Sequence, residues 1–429
     1  MTYALAPSHQ HACGWNHWLP PREPHPSLTH DQSAEVVIVG AGYTGVAAAR
    51  AWAMQRPDDR ILLLDASTLG EGSPGRNSGF MLEIALANDA SADQLARMAQ
   101  LNEISRTTMA EIRHLVTTHQ IDCQLQHSGT LRAACTPEGL ASIAAYKTFL
   151  QSAGLRHEVL SRQALADRIG TDYYHEGLYS PDCYLVQPAA LIRGLADCLP
   201  PQVKRYENTR VTRVHREGDQ WQVNTDQAQI RAPQVILANN AFSRMLGADH
   251  SRLTAIYTYA AVTDVLPESV QAEVMPQAWG LLPAHRLGCT LRSTADGRLM
   301  IRSLYSYEKE QDNTAVQHHL QSSFDARYPQ LKDYPLTEVW GGTTGLTYNG
   351  APVWGEIQPG LYVSAGCNGG GIVKGTFLGQ TLAHKAMGQA TPDIHGLFGQ
   401  ASWMPPEPVR KLGFHLIAAL ERRKANGEA

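Results

Sequence analysis

Cysteine is scarce in this chain of 429 residues, with seven in all: Cys13, Cys123, Cys135, Cys183, Cys198, Cys289 and Cys367. The number is odd and none stands in a C-x-x-C pair, so neither a disulfide framework nor a zinc site is expected. A charge excess is missing too. The formal net charge of -4 leaves no basic footprint for nucleic acid, although a local basic pocket for an acidic substrate would not show in such a sum. No run approaches the roughly 18 apolar residues that span a bilayer. The opening MTYALAPSHQHACGWNHWLPP lacks the basic start and apolar stretch of a secretory signal. A cytoplasmic protein without a transmembrane segment is the expectation. H-E-x-x-H and Ser-His-Asp spacings are absent, as are internal repeats and low-complexity tracts, and no metal site is expected.

What is present is glycine, at 36 positions, and enough chain for two domains. From Glu35 the sequence runs EVVIVGAGYTGVAAARA. VVIVG is a β-branched run of the kind buried on both faces of a parallel sheet, and a small-residue helix follows over Ala47–Met54. RILLLD, from Arg60 to Asp65, is a second buried strand, which completes a β-α-β unit. Gly40, Gly42 and Gly45 fit G-x-G-x-x-G. Gly40 permits the turn, Gly42 admits a pyrophosphate to the helix N-terminus beside Tyr43 and Thr44, and Gly45 lets helix and sheet pack closely. Asp65 ends the second strand where a ribose diol would be held, with Ala66 beside it, and an acid there argues against a 2′-phosphate. The motif alone does not separate NAD from FAD.

Further along, helical spacing covers Ser91–Gln120, and Ser128–Ala134 reads as a strand. A helix is expected over Leu185–Pro200, then short strands at Arg210–Val214, Trp221–Thr225 and Gln234–Ala238. Tyr257–Val265, Cys289–Thr294 and Arg298–Tyr305 suggest a second, more antiparallel sheet, with Asp296-Gly297 as a hairpin turn. Leu361–Ala365 is another buried strand. Gly366 to Gly371 places four glycines in six residues, more than a plain helix entry needs given their entropic cost, before a helix from Ile372 to about Met387. Pro408–Lys424 reads as an amphipathic helix with its basic residues late, where they suit the dipole.

After Asp65 comes ASTLGEGSPGRNSGFMLE. This stretch resembles the FAD-dependent amine and amino-acid oxidoreductases of the D-amino-acid oxidase type, which include glycine oxidase, sarcosine oxidase and γ-glutamylputrescine oxidase-like enzymes. Gly72, Gly75, Arg76, Asn77 and Gly79 match the family's second glycine loop, which also takes in Ser73 and Ser78, with Pro74 as a departure. The resemblance implies that Arg76 pairs with a phosphate of FAD and that the glycines let the loop pass the flavin. It continues through Thr209–Val214, implying that Val211 meets adenine, and through VILANNA, implying that Ala238 and Asn239 lie near ribose and phosphates. From Trp340 to Gly375 it reaches the family's C-terminal signature. There Asn368, Gly369, Gly370, Gly371 and Ile372 would face the flavin, and the helix from Ile372 would direct its amides at the ring.

Gly370 stands where many relatives have His. Lys374 stands one residue beyond the place of a lysine used by some sarcosine oxidase-like members, a rotation of about 100° on a helix. The cysteine and histidine used by some relatives for covalent attachment are absent, so non-covalent FAD is expected. The implied fold is α/β (α+β overall): a Rossmann-like FAD-binding domain interleaved with a mainly antiparallel substrate domain. An N-terminal arm (1–33), FAD-domain segments 34–95, 185–248 and 340–429, and substrate-domain segments 96–184 and 249–339 are expected. The substrate would be a small amine or amino acid, with O2 or a carrier as electron acceptor. Lys374, Tyr348 and Tyr305 are the candidates to act on it, with Tyr257, Tyr259, Arg292, Arg302 and Tyr307 nearby. Rival readings are a quinone- or carrier-linked dehydrogenase, a tailoring or assembly flavoprotein, and an NAD-only enzyme.

Overall fold

The computed structural model describes residues 4–83, 95–425 and 427–428. The run VVIV forms the fully buried strand Val36–Val39 at the middle of a six-stranded sheet. Ile61–Leu64 and Val203–Tyr206 follow it on one side, and Gln234–Leu237, Leu361–Ala365 and Val353–Gln358 lie on the other. All pairings are parallel except the last, between Leu361–Ala365 and Val353–Gln358. Alternation along these strands divides their side chains between two cores. Val36, Ile38, Ile61, Leu63 and Ile236 face a helical layer. Val37, Val39, Leu62, Leu64, Val235 and Leu237 face a layer containing Val211, Trp221, Val223 and Ile230. That second layer is a small sheet of the antiparallel strands Val211–Glu217, Gln220–Thr225 and Gln229–Ala232, with the short strand Gln32–Ser33 added parallel at its edge.

The helical layer centres on Tyr43–Gln55 and Val373–Ala386, which cross at small residues. A Cβ on Gly379 would stand 2.1 Å from the Thr44 carbonyl oxygen, so only glycine permits this approach. The helix expected at Ser91–Gln120 is seen over Leu95–Thr118, residues 91–94 lying outside the described residues. It joins the same core through Met98, Leu101, Met109 and Ile112.

The second expected sheet has eight strands, in the order Leu336–Leu346, Thr254–Thr263, Leu299–Tyr307, Thr290–Ser293, Gly280–Pro283, Thr130–Ala134, Glu176–Ser180 and Glu158–Ser161. Only Gly280–Pro283 with Thr130–Ala134 is parallel. The hairpin at Asp296-Gly297 forms, with Gly297 at φ +85°. The domain boundary expected at 340 needs correction. It falls inside the strand Leu336–Leu346, which is held along its whole length by Thr254–Thr263.

The N-terminal arm is part of the body. Trp15 is buried and meets Trp18 and Trp340 edge-on. The Trp15 indole N–H donates to the Asn77 carbonyl at 3.0 Å, and Arg22 makes a two-pronged pair with Glu207 at 2.6 and 2.8 Å. No helix among the described residues is long and apolar enough to cross a membrane.

Candidate active site

The central strand ends at Val39, and Gly40 turns the chain at φ +101°. Gly42 then caps the helix Tyr43–Gln55 without a side-chain hydrogen bond. The first-turn N–H groups are thus left to a ligand, at the positive end of the helix dipole. Gly45 lies beneath this turn, where a Cβ would stand 1.8 Å from the Gly40 carbonyl oxygen. Asp65 braces the loop from the next strand: Oδ2 accepts from the Ala41 N–H at 2.9 Å, and Oδ1 accepts from the Ser67 N–H and hydroxyl. Burial holds its carboxyl above the ordinary carboxylate range, against these hydrogen bonds.

A cavity of about 530 Å³ opens from this loop and runs between the two large sheets. Its dinucleotide side is bordered by Gly40, Gly42, Tyr43, Thr44, Asp65 and Ala66, then by Gly72, Ser73, Arg76, Asn77, Ser78 and Gly79. Val211, Ala238, Asn239 and the segment Asn368–Ile372 complete that side. Of the expected cofactor residues only Gly45 is off the wall, and its part is packing. The opposite wall comes from the eight-stranded sheet, with Thr130, Arg132, Thr258, Tyr259, Thr290 and Arg302.

Four expected contacts change in the structure. The Arg76 guanidinium is spent on the chain itself. Its Nε donates to the Glu71 carbonyl at 2.6 Å, Nη1 to Gly341 at 3.0 Å and Nη2 to His11 at 3.0 Å, with the Glu71 carboxylate at 3.5 Å. It clamps the second glycine loop to the antiparallel sheet and the arm, and its charge is not free for a phosphate. Tyr348 follows the end of the strand Leu336–Leu346, is 73% exposed and lies off the cavity wall. Tyr305 is also off the wall; its ring lies beneath the Arg302 guanidinium at 5.4 Å, and its hydroxyl accepts from Nη1 at 3.4 Å. Arg292 is buried, donates Nη1 to the Ser78 and Val186 carbonyls at 2.8 Å, and has its pKa lowered by burial to about 9.

Lys374 does border the cavity, as the second residue of the helix Val373–Ala386. It is 5% exposed, and burial brings its pKa down to about 8, against a smaller opposing effect of Cys367. Cys367 accepts from the Asn240 amide at 3.3 Å and lies 3.2 Å from the Thr344 hydroxyl.

Sequence reasoning missed Glu83, Arg132 and Tyr146. Glu83 is 5% exposed; burial, reinforced by the Asp182 charge, raises its pKa to about 7. Arg132 lies over the Tyr146 ring at 4.5 Å and donates to the Pro283 carbonyl. The available signal was the two-residue spacing of Thr130 and Arg132, which puts both on one face of their strand. Leu5, Ala6 and Pro7 of the arm also border the cavity, which no local pattern announces.

This cradle fits a dinucleotide flavin. The helix N-terminus lacks a side-chain cap, and Asn239 Oδ1 is buried without a partner. A Cβ on Gly369 or Gly371 would meet nothing within 4 Å. The volume is in the range of cofactor and small-ligand sites, roughly 300–1,000 Å³.

A parallel nucleotide-binding sheet whose glycine loops share one cavity with a second, antiparallel sheet defines a two-domain flavin oxidoreductase. The chain belongs to the DAO family of FAD-dependent oxidoreductases, whose model matches residues 35–385. It is 25% identical over 388 residues to the probable oxidoreductase OrdL of Rhizobium meliloti (strain 1021), covering 87% of both chains. It is 26% identical over 376 residues to gamma-glutamylputrescine oxidoreductase of Escherichia coli (strain K12), covering 86% of this chain and 87% of that one. Among solved structures, glycine oxidase from Geobacillus kaustophilus superposes with a TM-score of 0.75 at 20% identity, over 87% of this chain and 100% of that one. L-Amino acid deaminase from Proteus myxofaciens gives 0.70 at 16% identity, over 91% and 96%. The protein is an FAD-dependent oxidoreductase of a family that acts on amines and amino acids.

Proposed function

We propose that this protein oxidises the carbon–nitrogen bond of an amino acid or amine to an imine, which water then hydrolyses. The parallel sheet and its glycine loops serve as the FAD domain, and the eight-stranded sheet as the substrate domain. FAD, when bound, supplies the hydride acceptor. The residues of the chain bind and orient. The uncapped amides at Tyr43 and Thr44 receive the pyrophosphate, and Asn239 offers a buried acceptor on the same side. The N-terminal amides of Val373–Ala386 favour negative charge developing on the side of the cavity that they face.

The observation that carries the substrate half of this reading is Arg302. Arg302 borders the cavity, its guanidinium rests on Tyr305, and it has no carboxylate partner among the described residues. A cavity guanidinium without an internal counter-ion suits a substrate carboxylate, which it can grip with two parallel hydrogen bonds. Lys374 adds a second cation at neutral pH, since its pKa is about 8. Tyr259, whose hydroxyl is 2.6 Å from Ser306 Oγ, forms part of the same wall.

Arg302→Leu tests this reading. We expect kcat/KM for amino acids to fall about 10- to 100-fold, the worth of a charge-assisted contact, with little change for amines lacking a carboxylate. Equal losses on both would remove Arg302 from substrate recognition. Peroxide produced on turnover would identify an oxidase, and its absence with an active artificial acceptor would identify a dehydrogenase. Cytoplasmic location is part of the proposal, supported by the scattered unpaired cysteines.

A further inference from the structure

Ten large apolar side chains stand exposed among the described residues, and five of them share one helix. On Val409–Ala425 these are Val409, Leu412, Leu416, Ile417 and Leu420, each 51–62% exposed. Their spacing of three and four residues puts them along one side. Trp403, 61% exposed, stands just before the helix.

The other side of the helix is fastened to the body, so the apolar side is turned outward by a docked element. The Arg410 guanidinium donates to the Pro405, His250 and Leu253 carbonyls. Phe414 packs on Tyr307 with centroids 5.4 Å apart, and Glu421 lies 3.5 Å from His285. The exposed charge on the helix is almost all positive: Lys411, Arg422, Arg423 and Lys424 are exposed. The single acid, Glu421, is engaged by Lys424 at 3.2 Å as well as by His285. This reverses the balance of the whole chain, which carries 36 basic and 40 acidic residues.

We infer that the outer face of helix Val409–Ala425 seats the protein on an anionic lipid surface. An apolar stripe edged by cations, with an aromatic residue near one end, has the composition of a helix lying in a membrane interface. A second copy of the chain fits the charges less well. A two-fold axis at Leu416 would lay Arg423 and Lys424 beside the partner's helix N-terminus, whose dipole is also positive. The inference is independent of the substrate.

The test is sedimentation of the full-length FAD-loaded protein with vesicles of phosphatidylglycerol and phosphatidylcholine. We expect binding at low salt that weakens at high salt and is absent with phosphatidylcholine alone. Leu416→Ser/Leu420→Ser should lower partitioning by roughly tenfold while keeping the flavin spectrum of the parent. Arg422→Gln/Arg423→Gln/Lys424→Gln should remove the preference for the anionic lipid. No binding to anionic vesicles at low salt, or binding unchanged in the serine variant, would overturn the inference. So would a dimer in solution that the serine variant splits while neither form binds vesicles.

Discussion

At the residue scale, two buried ionisable groups on the cavity wall set measurable pH dependences. The pKa of Lys374 is held at about 8 against its ordinary 10.5. Between those values the unfolded chain binds a proton that the folded chain has lost, so stability rises with pH across that window. Lys374→Met should therefore raise the melting temperature of the apoprotein at neutral pH, with the gain disappearing above the upper value. Glu83 works in the opposite sense, with its pKa raised from 4.5 to about 7. The folded chain keeps a proton that the unfolded chain has shed, so stability falls as pH rises through that window. Glu83→Gln should stabilise by on the order of 1–3 kcal/mol at pH 8 and by little at pH 4.5; denaturant melts at the two pH values measure this. Neither dependence is readable from residue type. The sequence marks Lys374 only by its place near the C-terminal glycine loop and does not mark Glu83 at all, and only tertiary burial shifts them.

At the scale of elements, the two glycine loops have different attachments. The first loop meets a helix N-terminus that no side chain caps. A side chain at Gly42 would crowd Pro74 Cγ, 2.9 Å from an added Cβ, and would enter the phosphate cradle. Gly42→Val is expected to yield a folded but colourless protein; a preparation with full flavin absorbance would contradict the cradle assignment. The second loop is held by Arg76, whose three carbonyl contacts lie within the chain. Arg76→Lys keeps the charge but not the planar fork, and should cost roughly 2–4 kcal/mol in apoprotein and holoprotein alike. A phosphate-binding arginine would affect the holoprotein alone. The local elements were legible because their patterns are local, as with the buried run VVIV, the alternating strands of the second sheet and the glycine-dense turn at Gly366. The clamp was not legible. The partners of Arg76 at His11 and Gly341 are distant in sequence, and a charged residue in a glycine loop reads equally as a phosphate ligand. Tyr348 misled for a related reason: its strand ends two residues earlier, and the loop turns the ring to solvent.

At the scale of the whole molecule, one cavity joins the parallel sheet, the antiparallel sheet and the arm. A ligand filling it ties the parts together, so FAD should stabilise the folded state by about 2.7 kcal/mol at a hundredfold excess over its Kd. Thermal melts of apoprotein against added FAD check this linkage. The overall plan was visible in the order of motifs along the chain, whereas the pairing of Thr130–Ala134 with Gly280–Pro283 and the seat of the arm were not. They depend on contacts that no short window contains. The central claim is that this cavity brings an amine-bearing carbon to bound FAD. Its most direct test is the visible spectrum of the holoprotein, followed anaerobically while amino acids and amines are added one at a time. At least one amino acid is expected to bleach the oxidised flavin band, with slower bleaching in Arg302→Leu. A flavin that stays oxidised with every amine and amino acid would contradict it.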